Sequence, residues 1–385
     1  MGELGTYYHR NEGNRDVIAA LTAEEANLLH ARRLAQTHGW WLRIISAMQG
    51  LRQLYDHTGR RAEWQRLVEE IVPAFVDPAT DAPLPGREEQ WRLVTEYRAR
   101  LAMAARQWVE AERLQRVCVD WDRRRAAQAL AAPPKELDAR QRNAIRSLGV
   151  SLDNLARILR EQGKAECVTA YEESLSIDQR LGDRSGEAVT SFSLGNAHLV
   201  IPAIRDLQKA EQWYERSLAL NPEGDQQGRA HCLGQLGLVA LDRFQEARKA
   251  QRSAGELEKL INDAAWRYHQ ALELLPADAV NDLAVTHNQL GIVYRNAGDL
   301  DRALQHYRES IRYKERMRDL FNAGTTRFNV ALALAGAGRF VDAREYARAA
   351  LRNYETYGER AAEEIAETQQ LLEQIEAAAQ RQGAG

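Results

Sequence analysis

The sequence predicts an all-α chain built from antiparallel helix pairs stacked in a row. Three observations lead there. Long Ala-, Leu-, Glu-, Arg- and Gln-rich segments favour helix, and no run of β-branched residues reads as a strand. Small and aromatic residues recur together at a spacing of about 40 residues, the mark of a repeated supersecondary unit. The 385 residues also exceed what one compact core usually needs, so two domains or an open array is expected.

The amino-terminal part, 1–130, is an irregular helical region holding six of the eight tryptophans: Trp40, Trp41, Trp64, Trp91, Trp108 and Trp121. Within it 51-LRQLYDHTGRRAEWQRLVEE-70 and 99-ARLAMAARQWVEAERLQRVC-118 read as degenerate helix-turn-helix units. The prolines of 76-VDPATDAPLPGRE-88 place a loop between them. A second proline break opens a connecting segment, 131–144.

The regular array runs over 145–358. Its small anchors are Ala156, Gly195, Gly237, Gly291 and Ala331, separated by 39, 42, 54 and 40 residues. A second helix recurs as 171-YEESLSI-177, 214-YERSLAL-220, 268-YHQALEL-274 and 307-YRESIRY-313, with Pro222 and Pro276 closing two copies. In 288-NQLGIVYRNAGDLDRALQHYRES-310, Asp299 follows Gly298 as the expected N-cap of the second helix. The 54-residue step reflects an insert near 241–263, which is expected to lengthen both helices of one hairpin by about two turns each. Its 253-SAGE-256 has the form of a capping box, and Arg248, Lys249 and Arg252 sit at the tip. Residues 359–385 form a capping helix with Ile365, Leu371, Leu372 and Ile375 on its apolar side, and RQGAG should fray.

The pairs Gly291/Tyr294 and Ala303/Tyr307 resemble the two small–aromatic pairs of the tetratricopeptide repeat (TPR). The long spacing is similar to kinesin-light-chain-like repeats and to the sensor arrays of bacterial STAND ATPases, a group that 181-LGDRSGEAVTSFSLGN-196 also resembles. The resemblance implies a right-handed α-solenoid with a concave wall made by the first helix of each pair. Under the STAND resemblance, the chain would be a regulatory arm and the native gene would encode a nucleotide-binding partner domain. No Gly-x-x-x-x-Gly-Lys-Ser/Thr occurs in this sequence.

Catalytic patterns find no support. No two histidines sit at i, i+4, and Gly-x-Ser-x-Gly and Gly-x-Gly-x-x-Gly do not occur. Cys118, Cys167 and Cys232 lie far apart in apolar helical patterns and read as buried reduced thiols. With 28% charged residues and a net charge of −3, bulk charge selects neither a nucleic acid nor an acidic membrane. No run of about 18 apolar residues occurs, and the start, MGELGTYYHRNEGNRD, lacks a signal-peptide core. A soluble, cytoplasmic, non-enzymatic protein without cofactor or metal is expected.

Function should then lie in the concave groove, with a protein or peptide segment as partner, in a sensor or adaptor role. Carried over from the resemblance, the groove-facing candidates on the first regular helix are Asn154 and Arg157, beside Asp153. On the next they are Phe192 and Asn196, then Gln235 and Leu238, then Asn288, Gln289, Ile292 and Arg295, then Phe328 and Asn329. Amides offer donor and acceptor together and can hold peptide backbone regardless of its sequence, while Phe192, Leu238, Ile292 and Phe328 could supply side-chain pockets. No regular Lys/Asn/Arg set of the kind that clamps a terminal carboxylate is present.

Overall fold

The structure, a computed structural model, describes residues 15–383 and divides into two compact units, one ending at Gly182 and the other beginning at Asp183. The polar start of the chain and the last two residues of its tail lie outside the described residues.

The first unit holds α1 (Arg15–Thr37), α2 (Trp41–Thr58), α3 (Arg61–Ile71), α4 (Glu88–Ala104), α5 (Trp108–Ala131), α6 (Ala139–Glu161) and α7 (Cys167–Leu181). Helix α2 packs chiefly on α1, and the 11-residue α3 is too short to pair fully with it, so 51–70 is not a self-contained hairpin. Aromatic edges fill this core: Trp41 meets Phe75 at 5.7 Å, Trp64 meets Tyr97 at 5.2 Å and Trp91 meets Trp121 at 5.6 Å between centroids. Helices α4, α5 and α6 are also tied by a buried polar network. Arg92 Nη2 donates to Asp122 Oδ2 at 2.6 Å and to Ser151 Oγ at 2.7 Å, and Gln115 donates to the Ser151 carbonyl at 2.9 Å. Segment 131–144 therefore joins two helices packed on each other, with Asp138 and Gln141 forming a reciprocal capping box at the start of α6.

The second unit runs through α8 (Arg184–Val200), α9 (Leu207–Leu220), α10 (Gln226–Lys249), α11 (Ala254–Leu274), α12 (Val280–Asn296), α13 (Leu300–Arg316), α14 (Leu320–Gly336), α15 (Phe340–Glu355) and α16 (Ala362–Gly383). Each helix packs on the next, most closely within the pairs α8/α9, α10/α11, α12/α13 and α14/α15. Asp183, Asp206, Asp225, Ser253, Asp299 and Asp319 cap helix starts by accepting backbone N–H bonds. The turn before Asp299 needs Gly298, whose φ of +81° is left-handed. Helix α16 continues to Gly383, so its end stays helical through most of RQGAG. Among the described residues no helix is long and apolar enough to cross a membrane.

The small anchors set the spacing within pairs. A Cβ built on Gly195 would lie 2.6 Å from the Tyr214 ring, on Gly237 2.9 Å from Tyr268, and on Gly291 2.5 Å from Tyr307. Each tyrosine ring thus rests on bare backbone of its partner helix, and all three tyrosines are 3% exposed or less. The close partner of Gly291 is Tyr307, within the pair, and Tyr294 turns elsewhere.

Tyr294 joins a cluster that the Gly291–Tyr307 contact assembles from α11, α12 and α13. It stacks on His306 with centroids 5.4 Å apart and its hydroxyl is 2.8 Å from His269 Nε2. His287 Nδ1 lies 3.0 Å from His306 Nδ1, a hydrogen bond that requires one nitrogen to be unprotonated. Burial, then the fields of His287 and His269, push His306 down to about 4. Burial also lowers His287, with Arg312 and His269 acting the same way and Glu309 opposing.

Two outcomes follow. Gly291→Ala should destabilise by about 1–2 kcal/mol, because overpacking outweighs the roughly 1 kcal/mol helix-propensity gain, and the cost should shrink in a Tyr307→Leu background; thermal melts of the four chains measure this. The histidine pKa values are lowered by folding, so their stabilisation is present above the unfolded value near 6.5 and is lost as pH falls through it toward about 4. His306→Phe should therefore lose less melting temperature than wild type between pH 7 and pH 4.5.

Candidate binding groove

The first helices of the pairs in the second unit touch one another through their side chains. Between α10 and α12, Gln227 Nε2 and His231 Nε2 reach Asp282 Oδ2 at 2.8 and 3.1 Å. Between α12 and α14, Thr326 Oγ1 donates to Asn288 Oδ1 at 3.2 Å and Asn329 Nδ2 to the same oxygen at 3.4 Å. One stripe of α12 carries half-buried Asp282, Gln289 and Ile292 with exposed Val285, spaced three or four residues apart and so on one face.

Four of the sequence-derived candidates meet in one cleft of about 320 Å³: Phe192 from α8, Gln235 and Leu238 from α10, and Gln289 from α12. Other residues complete it, and of these Gly234 adjoins Gln235 in the same helix register. His231, Gly234, Asp282, Val285 and Thr286 line its sides, and Tyr268 and Leu275 come from the α11 end. A Cβ on Gly234 would meet nothing within 4 Å, so helix backbone is open there. Val285 is 48% exposed, an apolar side chain left to solvent on the face of the cleft. Asp282 and Val285 were findable: they precede Gln289 by seven and four residues on the same stripe.

The other candidates have their own surroundings. Asn196 Oδ1 accepts the Tyr214 hydroxyl at 2.8 Å, and Phe192 leans on the same ring at 5.4 Å. Ile292 and Phe328 are half-buried against the α13–α15 core, and Arg295 is half-buried at the end of α12. In the first unit Asn154 is buried and accepts from Arg157 Nη2 at 3.2 Å, while burial raises the carboxyl of neighbouring Asp153. The Asn288–Thr326 contact continues inward to Lys314, whose Nζ donates to Thr326 Oγ1 at 2.6 Å and to the Asn322 carbonyl at 3.2 Å. Burial pushes this ammonium down to about 8 against the field of Asp319.

Burial raises all three thiols, as expected of cysteines held in apolar surroundings. Among the described residues, no group of three or more His, Cys, Asp or Glu side chains is arranged to hold a metal. The histidine cluster of α11–α13 escapes a search by local spacing, because its members lie on three helices. The signal was the repeat register: His287 precedes Gly291 by one turn and His306 adjoins Tyr307.

Comparison with known proteins agrees with this architecture. The tetratricopeptide repeat family model matches residues 282–356. No curated protein matches the chain. Among solved structures, aspartyl phosphate phosphatase F from Bacillus subtilis is similar with a TM-score of 0.50 at 14% identity, over 85% of this chain and 79% of that one. BtubC (BKLC) from P. vanneervenii has a TM-score of 0.48 at 20% identity, over 62% of this chain and 92% of that one. The apo form of the quorum sensor NprR from B. thuringiensis has a TM-score of 0.48 at 11% identity, over 94% and 98%. At 14% identity the likeness to the phosphatase structure speaks for fold alone. Residues 282–356 thus match the tetratricopeptide repeat, and the helix pairs of the second unit, seated on small anchors, share that architecture.

Proposed function

We propose that the second unit binds an extended peptide segment of a partner protein along the face made by α8, α10, α12 and α14, and that the protein acts as an adaptor or sensor rather than as a catalyst. The observation that carries this reading is the cleft between α10 and α12. It sets half-buried Leu238 and exposed Val285 beside amides, Gln235 and Gln289, on rigid helices. Apolar pockets with a few polar groups are what peptide side chains need, and amides satisfy the backbone between them.

Asn288 and Asn329 extend the same face toward α14. The contact between them uses Asn288 Oδ1 and Asn329 Nδ2, which leaves Asn288 Nδ2 and Asn329 Oδ1 for a peptide N–H and carbonyl. Pre-organisation by Thr326 lowers the ordering cost of such a contact.

The test begins with a phage-displayed library of random peptides about twelve residues long, panned on the whole chain. Enriched peptides should bind in titration calorimetry, and an Asn288→Ala/Asn329→Ala chain with an unaltered melting curve should bind about tenfold more weakly. Unchanged affinity would remove the two asparagines from the groove.

A further inference from the structure

The cleft between α10 and α12 has a chemistry of its own. We propose that it is a specificity pocket for an arginine or lysine side chain of the bound peptide, an inference that rests on the peptide-binding reading above.

Charge is the first argument. Asp282 is the one acidic side chain among the cleft's lining residues, and no lysine or arginine lines it. The Asp282 side chain is 22% exposed, so its charge acts in a partly desolvated setting, where it is worth more than on open surface. Both of its bonds, from Gln227 and His231, fall on Oδ2, leaving Oδ1 for an incoming donor.

Shape is the second. Phe192, Leu238, Leu275 and Val285 supply apolar walls, and bare backbone at Gly234 lets a thin methylene stem lie close. Long cationic side chains bury their stems in this way while the charged end meets a polar group.

The third comes from comparing one helix pair with another. The Tyr214 ring sits on Gly195, and its hydroxyl donates to the next residue, Asn196. The same relation joins Gly324, Tyr354 and Thr325, with the hydroxyl 3.1 Å from Thr325 Oγ1. Tyr268 sits on Gly237, but the next residue is Leu238, which has no hydrogen-bonding group. Tyr268 is 3% exposed, lines the cleft, and its hydroxyl has no partner. A buried hydroxyl left unpaired is costly, and a ligand N–H would engage the phenol oxygen. A guanidinium or ammonium brings three or more donors to Asp282, Tyr268 and the Gln235 and Gln289 amides. An acidic side chain would meet Asp282 unfavourably, and an aliphatic one would leave Asp282 Oδ1 and the Tyr268 hydroxyl without a partner.

The experiment uses the whole chain and the peptides enriched by panning. Their sequences should share an arginine or lysine at one fixed position. In one such synthetic peptide, replacing that residue with methionine should weaken binding to the wild-type chain about ten- to hundredfold. The same replacement should change binding to Asp282→Asn by less than about threefold, a double-mutant cycle that isolates the contact. Leu238→Asn, which offers Tyr268 the partner that Tyr214 has, should also blunt the preference without lowering the melting temperature; it decides alone if Asp282→Asn does not fold. Peptides that bind with no basic preference would overturn the pocket and leave the groove reading standing. A basic preference undiminished in both variants would also overturn it. A library from which nothing is enriched would overturn both.

Discussion

The contact on which the second unit depends is a tyrosine ring seated on a glycine of its partner helix. At Gly195, Gly237 and Gly291 an added Cβ would stand 2.5–2.9 Å from ring carbons, nearer than real atoms approach. The helices can lie this close only because the side chain is absent, and the ring fills the space that closeness leaves. Everything else in the repeat follows from that register. It seats Ser310 under the Ala284 carbonyl, with a 2.8 Å hydrogen bond, and brings His306 beside His287.

The same contact links packing to the proposed binding. A tyrosine used as a spacer carries a hydroxyl into the interior, and the residue after the glycine decides whether that hydroxyl is satisfied. Asn196 does so for Tyr214; Leu238 and Ile292 leave Tyr268 and Tyr307 unpaired. Those two positions also lie on the face proposed above for the peptide. A leucine and an isoleucine there give up an internal hydrogen bond, a local inconsistency of the kind that accompanies functional sites.

The periodic part of the fold was legible in the sequence because it is written in residues with a single physical reason. Glycine at the close approach, tyrosine opposite it and aspartate before the next helix each recur with the unit. The helices of the long step, α10 and α11, meet at a turn where Ser253 accepts the Glu256 N–H at 3.3 Å, a local signal that sequence carries directly. The first unit was harder, since its aromatic edges and the Arg92–Asp122–Ser151 network join residues 29 to 59 apart with no repeating spacing. The groove was legible in part. Rules anchored on the glycines reached Phe192, Gln235, Leu238 and Gln289, whereas Asp282 and Tyr268 depend on which helices close the cleft. Asn196 shows what a register alone leaves out: its Oδ1 is already engaged by the Tyr214 hydroxyl.

The most direct test of the central contact is native-state hydrogen exchange, read by mass spectrometry, on the wild-type and Gly291→Ala chains. If the glycine–tyrosine seat holds each pair, protection should fall chiefly across α12 and α13, residues 280–316, and stay near wild type across residues 15–182. Protection left intact over 280–316, or lost evenly along the whole chain, would contradict the account.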